Sequence, residues 1–250
     1  MVNITNDDIL ATYLEEGHVD TILGPLSSGK EAQVYLALLG EEYRAIKIFK
    51  EADERSFKCR TDYTMTMFES HRREARAIKN KSSFGKELEE DFWHSREINT
   101  LRRLHKFGAN VPRVITEGVR SFMMECCRDE NNVSTKLGEW RSNLKNPERI
   151  YKTILHNMTI FINAGIVHGD LSPYNILCDE NEKITIIDFP QSVKIDAVDN
   201  HLGMELLLRD LKNVTTFFNK YYKLTIPVDN LISSWAEHFE LSPREVELMR

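Results

Sequence analysis

The sequence predicts an α+β chain built from two unlike parts, and three observations carry that expectation. Residues 22–49 and 114–124 hold short β-branched and apolar runs separated by Gly-containing turns, the pattern of antiparallel strands. Beyond Cys127 the apolar residues recur mainly at spacings of three and four, the pattern of amphipathic helices. With 250 residues, 41% of them hydrophobic and 29% charged, the chain can bury a core as one domain of two lobes or as two small domains.

That composition excludes a disordered chain, a collagen-like repeat and a coiled coil. A formal net charge of −6 repels polyanions on average, so any nucleic-acid contact must come from a local basic patch. Cys59, Cys126, Cys127 and Cys178 form no C-x-x-C pair, and two of them are adjacent, the pattern of reduced thiols and hence of a cytoplasmic protein. No run approaches the roughly 20 apolar residues that cross a bilayer, and the first residues lack a signal-peptide pattern, so no membrane partner is expected.

The first element is a short helix over residues 6–17, capped by Asn6 or Asp7, striped by Ile9, Leu10, Tyr13 and Leu14, and stopped by Gly17. Residues 1–20 are thus an appended helical extension. Strands follow at Ile22-Leu23, Val34–Ala37 and Tyr43–Phe49, with a turn at Gly40-Glu41. Residues 50–91 are polar and weakly periodic, an insertion whose segment 72–81 concentrates Arg72, Arg73, Arg76, Lys79 and Lys81. A helix from about Asp91 to Lys106 and two strands within Val114–Met124 complete a small lobe over 21–125. The remainder, 126–250, opens its main helix at Asn146-Pro147, breaks for a hairpin at 176–187, and returns to helices near 200–222 and 229–239. Ser242-Pro243-Arg244-Glu245 is a capping box for a last helix.

The segment richest in chemistry is His168-Gly169-Asp170-Leu171-Ser172-Pro173-Tyr174-Asn175, followed 13 positions after the Asn by Asp188. Pairing Ile176 with Ile187 across a turn at 179–183 places Asn175 opposite Asp188, with Cβ atoms roughly 5 Å apart. An amide oxygen and a carboxylate at that separation suit Mg²⁺, which leaves positions for phosphate oxygens. Asp170 then faces what the metal holds, where a carboxylate orients a hydroxyl and accepts its proton. The bland alternatives are a cap for Asp170 and a turn residue for Asn175.

A second pair comes from periodicity. Strand alternation puts Lys47 among Tyr43, Ala45 and Phe49, and helical spacing puts Glu97 on the face of Trp93, Leu101 and Leu104. Brought together they neutralise one another and leave ammonium protons for phosphate; separately, Lys47 snorkels to solvent and Glu97 lies at the stripe's edge. A third feature is the small-residue loop from Gly24 to Val34, in which Ser27, Ser28, Gly29 and Lys30 offer donors to phosphate. Its Ser-Gly-Lys is not at Walker A spacing and a strand follows it, so it reads either as an ordinary hairpin or as a phosphate loop.

In this order the motifs resemble a protein-kinase-like fold and, within it, the RIO family of atypical serine/threonine kinases and ATPases, from about Ile22 to Phe218. Ser27-Ser28-Gly29-Lys30-Glu31-Ala32 is similar to that family's phosphate loop, Ala45-Ile46-Lys47 to its ATP-phosphate strand with Glu97 as helix partner, and Ile187-Asp188-Phe189-Pro190-Gln191 to its metal-binding segment. Only 62 residues follow Asp188 and no APE-like sequence is present, matching that family's lack of an activation loop and peptide-docking subdomain. The resemblance implies ATP and Mg²⁺ as cofactors, Asp170 as catalytic Asp, Asn175 and Asp188 as metal ligands, and a hinge at Met124 to Cys127, with Glu125 and Cys127, against adenine. It further implies Asp188 as a transient phosphoryl acceptor and an ATPase switch in small-ribosomal-subunit maturation. The protein substrate is then another chain or the protein itself, and segment 72–81 is the candidate contact to a pre-ribosomal particle. His-Gly-Asp-Leu with Ile-Asp-Phe also resembles aminoglycoside and choline kinases, which makes a small-molecule phosphotransferase the alternative.

Overall fold

The computed structural model describes residues 4–50, 83–130 and 132–249, with side chains inside its second helix from Ser95 onward. Most of the insertion expected over 50–91, including segment 72–81 and Cys59, lies outside the described residues. Compact packing groups the described residues into two units: those up to Asn99 with Pro112–Cys126, and Thr100–Val111 with those from Cys127 onward. The architecture is mixed α+β, as expected.

The first unit is a five-stranded antiparallel sheet, in the order β1-β2-β3-β5-β4, built from β1 (Thr21–Ser28), β2 (Ala32–Leu39), β3 (Glu42–Phe49), β4 (Val114–Gly118) and β5 (Ser121–Glu125). The strands run longer than their apolar cores suggest, because backbone pairing continues through polar residues once the register is set. Helix α1 (Asn6–Glu15) is capped one residue earlier than expected: Thr5 forms the capping box with Asp8, displacing Asn6 and Asp7 from that role.

Far from being merely appended, α1 supplies Ile9, Leu10 and Tyr13 to a core with Val19, Ala37, Ile46, Ile48 and Met123. Full burial of each aliphatic or aromatic side chain is worth about 1.5–3 kcal/mol, so this helix is part of the sheet's support. The Tyr13 hydroxyl meets Ser121 Oγ at 3.1 Å inside that contact, and Gly118 gives it room, since a Cβ there would lie 2.8 Å from the hydroxyl oxygen.

Helix α2 (Ser83–Lys106) begins eight residues before the expected Asp91. Phe84, Leu88 and Phe92 recur there at a spacing of four, but Gly85 and the charged residues around Leu88 masked that signal in the sequence.

In the second unit, α3 (Pro147–Asn163) starts at the Asn146 cap with Pro147 in its first turn and buries Ile150, Ile154, Met158 and Phe161. Around it stand β6 (Thr135–Lys136), β7 (Ile166–Val167), β8 (Ile176–Cys178), β9 (Ile184–Ile186) and β10 (Val193–Lys194), followed by α4 (Asn200–Tyr222), α5 (Asp229–Glu237) and α6 (Pro243–Leu248). β6, β8 and β9 form a small sheet, and β7 pairs with β10. The Ser242 capping box of α6 is present. Among the described residues no helix is long and apolar enough to cross a membrane.

Candidate active site

In the first unit, β3 carries Lys47 between Ile46 and Ile48, whose side chains join the core shared with α1. Lys47 is only 7% exposed, yet its ammonium is 2.7 Å from Glu97 Oε1 on α2, itself 1% exposed. The ammonium also lies 5.6 Å from the centre of the Phe49 ring, a favourable cation–π distance. Alternation along a strand and the stripe of a helix thus do bring these two charges together, and buried charges of opposite sign satisfy one another there.

The turn after β1 departs from expectation. Ser27 and Ser28 are strand residues, opposite Val34 and Gln33, and only Gly29, Lys30 and Glu31 remain outside the ladder. The Gly29 N–H closes the hairpin on Ala32 O at 2.9 Å, so that donor is spent within the turn. Ser27, Ser28 and Lys30 are exposed. Register shifts at Leu23 and Leu26, with Gly24 at φ +134°, twist β1 where the sequence suggested a loop.

The segment expected as a hinge ends β5. Glu125 accepts from Arg113 Nε at 2.7 Å through its side chain, and its N–H donates to Arg113 O at 3.0 Å. The carbonyl of Cys127 accepts the Ser134 N–H at 2.9 Å, closing a short loop.

In the second unit the loop 168–175 is pinned from three sides. His168 is buried: its Nε2 donates to Ile187 O at 3.1 Å, while Nδ1 accepts the Asp170 N–H at 3.3 Å. One donor and one acceptor define the neutral Nε2–H tautomer, and burial pulls the imidazole down to about 4. Gly169 adopts φ +80° and has no room for a side chain, since a Cβ would stand 2.5 Å from Gln191 O.

Helix α4 supplies the third anchor. Asp210 accepts the N–H groups of Gly169 and Leu171 at 2.8 and 2.9 Å, Arg209 donates to Gly169 O, and Asn213 donates to Leu171 O at 3.1 Å. Asp210 is 1% exposed, and burial pushes its carboxyl up to about 7 against the pull of those two N–H donors and of Arg209. None of these three residues was singled out from sequence. The signal existed, because Asp210 lies three residues from Leu207 and four from Val214, on the buried stripe of α4.

Asp170 and Asn175 come together: Asn175 Nδ2 donates to Asp170 O at 2.8 Å and lies 3.5 Å from Asp170 Oδ2. Partial burial raises the Asp170 carboxyl, with Arg209 opposing and Asp188 reinforcing the shift. The charge of Asp188 is also felt at His168, so the carboxylate lies within electrostatic reach of both.

The expected register of the hairpin is wrong by one residue. Asp179 and Lys183 close the turn, with N–H to carbonyl at 3.1 Å and Asp179 Oδ1 accepting the Lys183 N–H at 2.7 Å. Cys178 therefore faces Ile184, Ile176 faces Ile186, and Asn175 lies opposite Ile187 rather than Asp188, with the Ile187 N–H on Asn175 O at 2.9 Å. A slip of one residue on a regular strand would turn Asp188 to the other face. The backbone leaves the strand there instead, with Asp188 at φ +70°, a conformation that costs a non-glycine residue about 1–3 kcal/mol and that clusters at functional sites.

The donor chemistry fits a hard cation. The Asn175 amide turns its NH₂ toward Asp170, which directs its carbonyl oxygen elsewhere, and Asp188 adds carboxylate oxygens of the kind Mg²⁺ takes. Among the described residues no group of three or more His, Cys, Asp or Glu stands ready to hold a metal by itself.

Comparison with known proteins agrees with the motifs. The profile of the RIO domain matches residues 33–231. The chain belongs to the RIO-domain family. It is 31% identical over 83% of its length to "RIO-type serine/threonine-protein kinase Rio1" of Haloferax volcanii, covering 66% of that protein. A Methanocaldococcus jannaschii protein of the same name is 31% identical, with 84% of this chain and 67% of the relative covered. Human "Serine/threonine-protein kinase RIO3" is 30% identical over 85% of this chain, which spans only 41% of the human protein. The RIO profile begins inside β2, so α1 and β1 precede the matched region.

Proposed function

We propose that the protein is a RIO-type serine/threonine kinase whose Asp170 acts on the acceptor hydroxyl in an ATP- and Mg²⁺-dependent phosphoryl transfer. The observation that supports this most is the Asn175–Asp170 hydrogen bond on a loop anchored to buried Asp210. It holds the Asp170 backbone at 2.8 Å and leaves the partly buried carboxylate 3.5 Å from the same amide, within electrostatic reach of Asp188. When bound, Mg–ATP supplies the phosphoryl group and the cationic charge that neutralises it.

The chain's own residues do the rest. Asp170 accepts a hydrogen bond from a Ser or Thr hydroxyl and then its proton; the raised carboxyl makes it a stronger base than an ordinary Asp. Asn175 fixes the Asp170 backbone carbonyl through its NH₂ and offers its carbonyl oxygen, with the Asp188 carboxylate, to the cation. Lys47 commits one N–H to Glu97, and an ammonium has three donors for which phosphate oxygens compete as acceptors. Gly29 to Lys30 and the backbone from Glu125 to Cys127 are the proposed contacts to phosphate and adenine, with exposed Ser27 and Ser28 beside the turn. A ribosomal particle as target is proposed from the family resemblance, with segment 72–81 as its contact.

Incubation with γ-labelled ATP, Mg²⁺ and a serine-containing protein tests the proposal. Label on Ser or Thr that disappears in Asp170→Ala, while nucleotide binding persists, supports it. Label on an added amino-sugar or alcohol, or transfer that survives Asp170→Ala, contradicts it.

A further inference from the structure

Beyond the transfer chemistry, the loop that carries Asp170 also carries an exposed aromatic residue. Tyr174, one position before Asn175, is 50% exposed. Its ring rests on the short helical turn 137–139: a Cβ at Gly138 would stand 2.8 to 3.1 Å from three ring carbons, so glycine there is what admits the ring. The Gly138 N–H donates to Pro173 O at 2.9 Å and ties the two segments together.

Arg141 follows that turn. Its guanidinium lies within electrostatic reach of the Tyr174 hydroxyl and stands 5.6 Å from the centre of the Tyr221 ring on α4. The Lys220 ammonium stands 5.1 Å from the same ring. The result is a row in which aromatic and cationic groups alternate, Tyr174, Arg141, Tyr221, Lys220. Aromatic faces fix the positions of cations without neutralising them. Among the described residues neither Arg141 nor Lys220 forms an ion pair with a carboxylate. The basic side continues on α4, where Lys212 and Lys220 line a groove of about 760 Å³ that also contains Glu205 and Asp229.

We infer that this row is a substrate-selecting surface that receives acidic side chains of a protein substrate near its phosphate-accepting Ser or Thr. The inference rests on the kinase reading above. It also rests on Tyr174, which stands on the loop of Asp170 four residues away along the chain, with Arg141 beside it and Lys220 across the Tyr221 ring. A carboxylate meets preorganised donors from Arg141 and Lys220, and the exposed edge of Tyr174 covers the peptide's apolar atoms. Single-stranded RNA could use the same aromatic and cationic groups; the peptide is favoured because Tyr174, at one end of the row, lies on the loop that carries the proton acceptor.

Two fluorescent serine peptides, identical except that the Asp residues flanking Ser in one are Asn in the other, test the inference by anisotropy and by initial rates. The wild type is expected to bind the Asp peptide about tenfold more tightly, as one charge-assisted contact of about 1.4 kcal/mol gives. Arg141→Gln/Lys220→Gln should bring the ratio near one, with the change in KM, and Tyr174→Phe should lower it partway by removing the polar group beside Arg141. All three sites are on the surface, and a melting temperature within about 2 °C of wild type confirms folding. Equal binding of both peptides by the wild type, or a ratio untouched by the double substitution, overturns the inference. So does an RNA oligomer that binds in a Lys220- and Arg141-dependent way and displaces the Asp peptide's advantage. Selective binding without any transfer would leave the surface standing and fault the kinase reading instead.

Discussion

His168 provides a test whose size follows from the structure. Its two ring nitrogens are matched to opposite needs: Nε2 faces the Ile187 carbonyl and Nδ1 faces the Asp170 N–H. Protonation would point two donors at each other across 3.3 Å inside the core. The folded-state value of about 4 lies below the ordinary 6.5, so the unfolded chain takes up the proton first as pH falls. The stability held by neutral His168 is complete above pH 6.5 and is lost as pH falls through about 4. At 1.36 kcal/mol per pH unit, the whole interval is worth about 3 kcal/mol, and the part lost between pH 7 and pH 5 is about 2 kcal/mol. Urea unfolding of the wild type and His168→Gln at both pH values isolates that contribution, because most other titrating groups are common to both. The wild type should lose about 2 kcal/mol more than the variant between pH 7 and pH 5. Parallel losses would refute the neutral, donor–acceptor reading of this ring.

Other expectations concern the same scaffolding. Glu97→Gln should destabilise by about 3–5 kcal/mol by stripping Lys47 of a buried counter-charge, whereas Lys47→Met with Glu97→Leu should recover most of that in urea unfolding while abolishing transfer. Asp210→Ala removes the acceptor of two N–H groups in the buried loop, about 1–3 kcal/mol each, and should lower kcat far more than it raises the KM for ATP; unchanged kcat would deny it a positioning role. Gly169→Ala meets Gln191 O and a left-handed backbone together, so loss of transfer with a lowered melting temperature is expected, and wild-type behaviour in both would contradict the packing described.

Much of this arrangement is legible in the chain. The Asn146-Pro147 start of α3 and the Ser242 capping box are local chemistry, and local chemistry survives folding. Lys47 and Glu97 are legible because each is the charged exception in an apolar pattern. Asp210 is an exception of the same kind in α4, but a carboxylate whose partners are backbone N–H groups leaves no second residue type to search for. The hairpin register turns on one residue: Asp179 both pairs with Lys183 and caps it, which sets the ladder by turn geometry rather than by apolar matching. The N-cap at Thr5 and the early start of α2 are boundary matters, decided by hydrogen bonds that composition does not reveal. Departure of Asp188 from the strand was likewise invisible, since an aspartate at positive φ is selected by its surroundings.

Calorimetric titration of ATP, with and without Mg²⁺, into the wild type and into Asn175→Ala/Asp188→Ala tests the phosphoryl-transfer account most directly. Magnesium-dependent uptake by the wild type that is lost in the double variant, with folding intact, is the predicted result. Equal uptake by both proteins, or uptake indifferent to Mg²⁺, would contradict it.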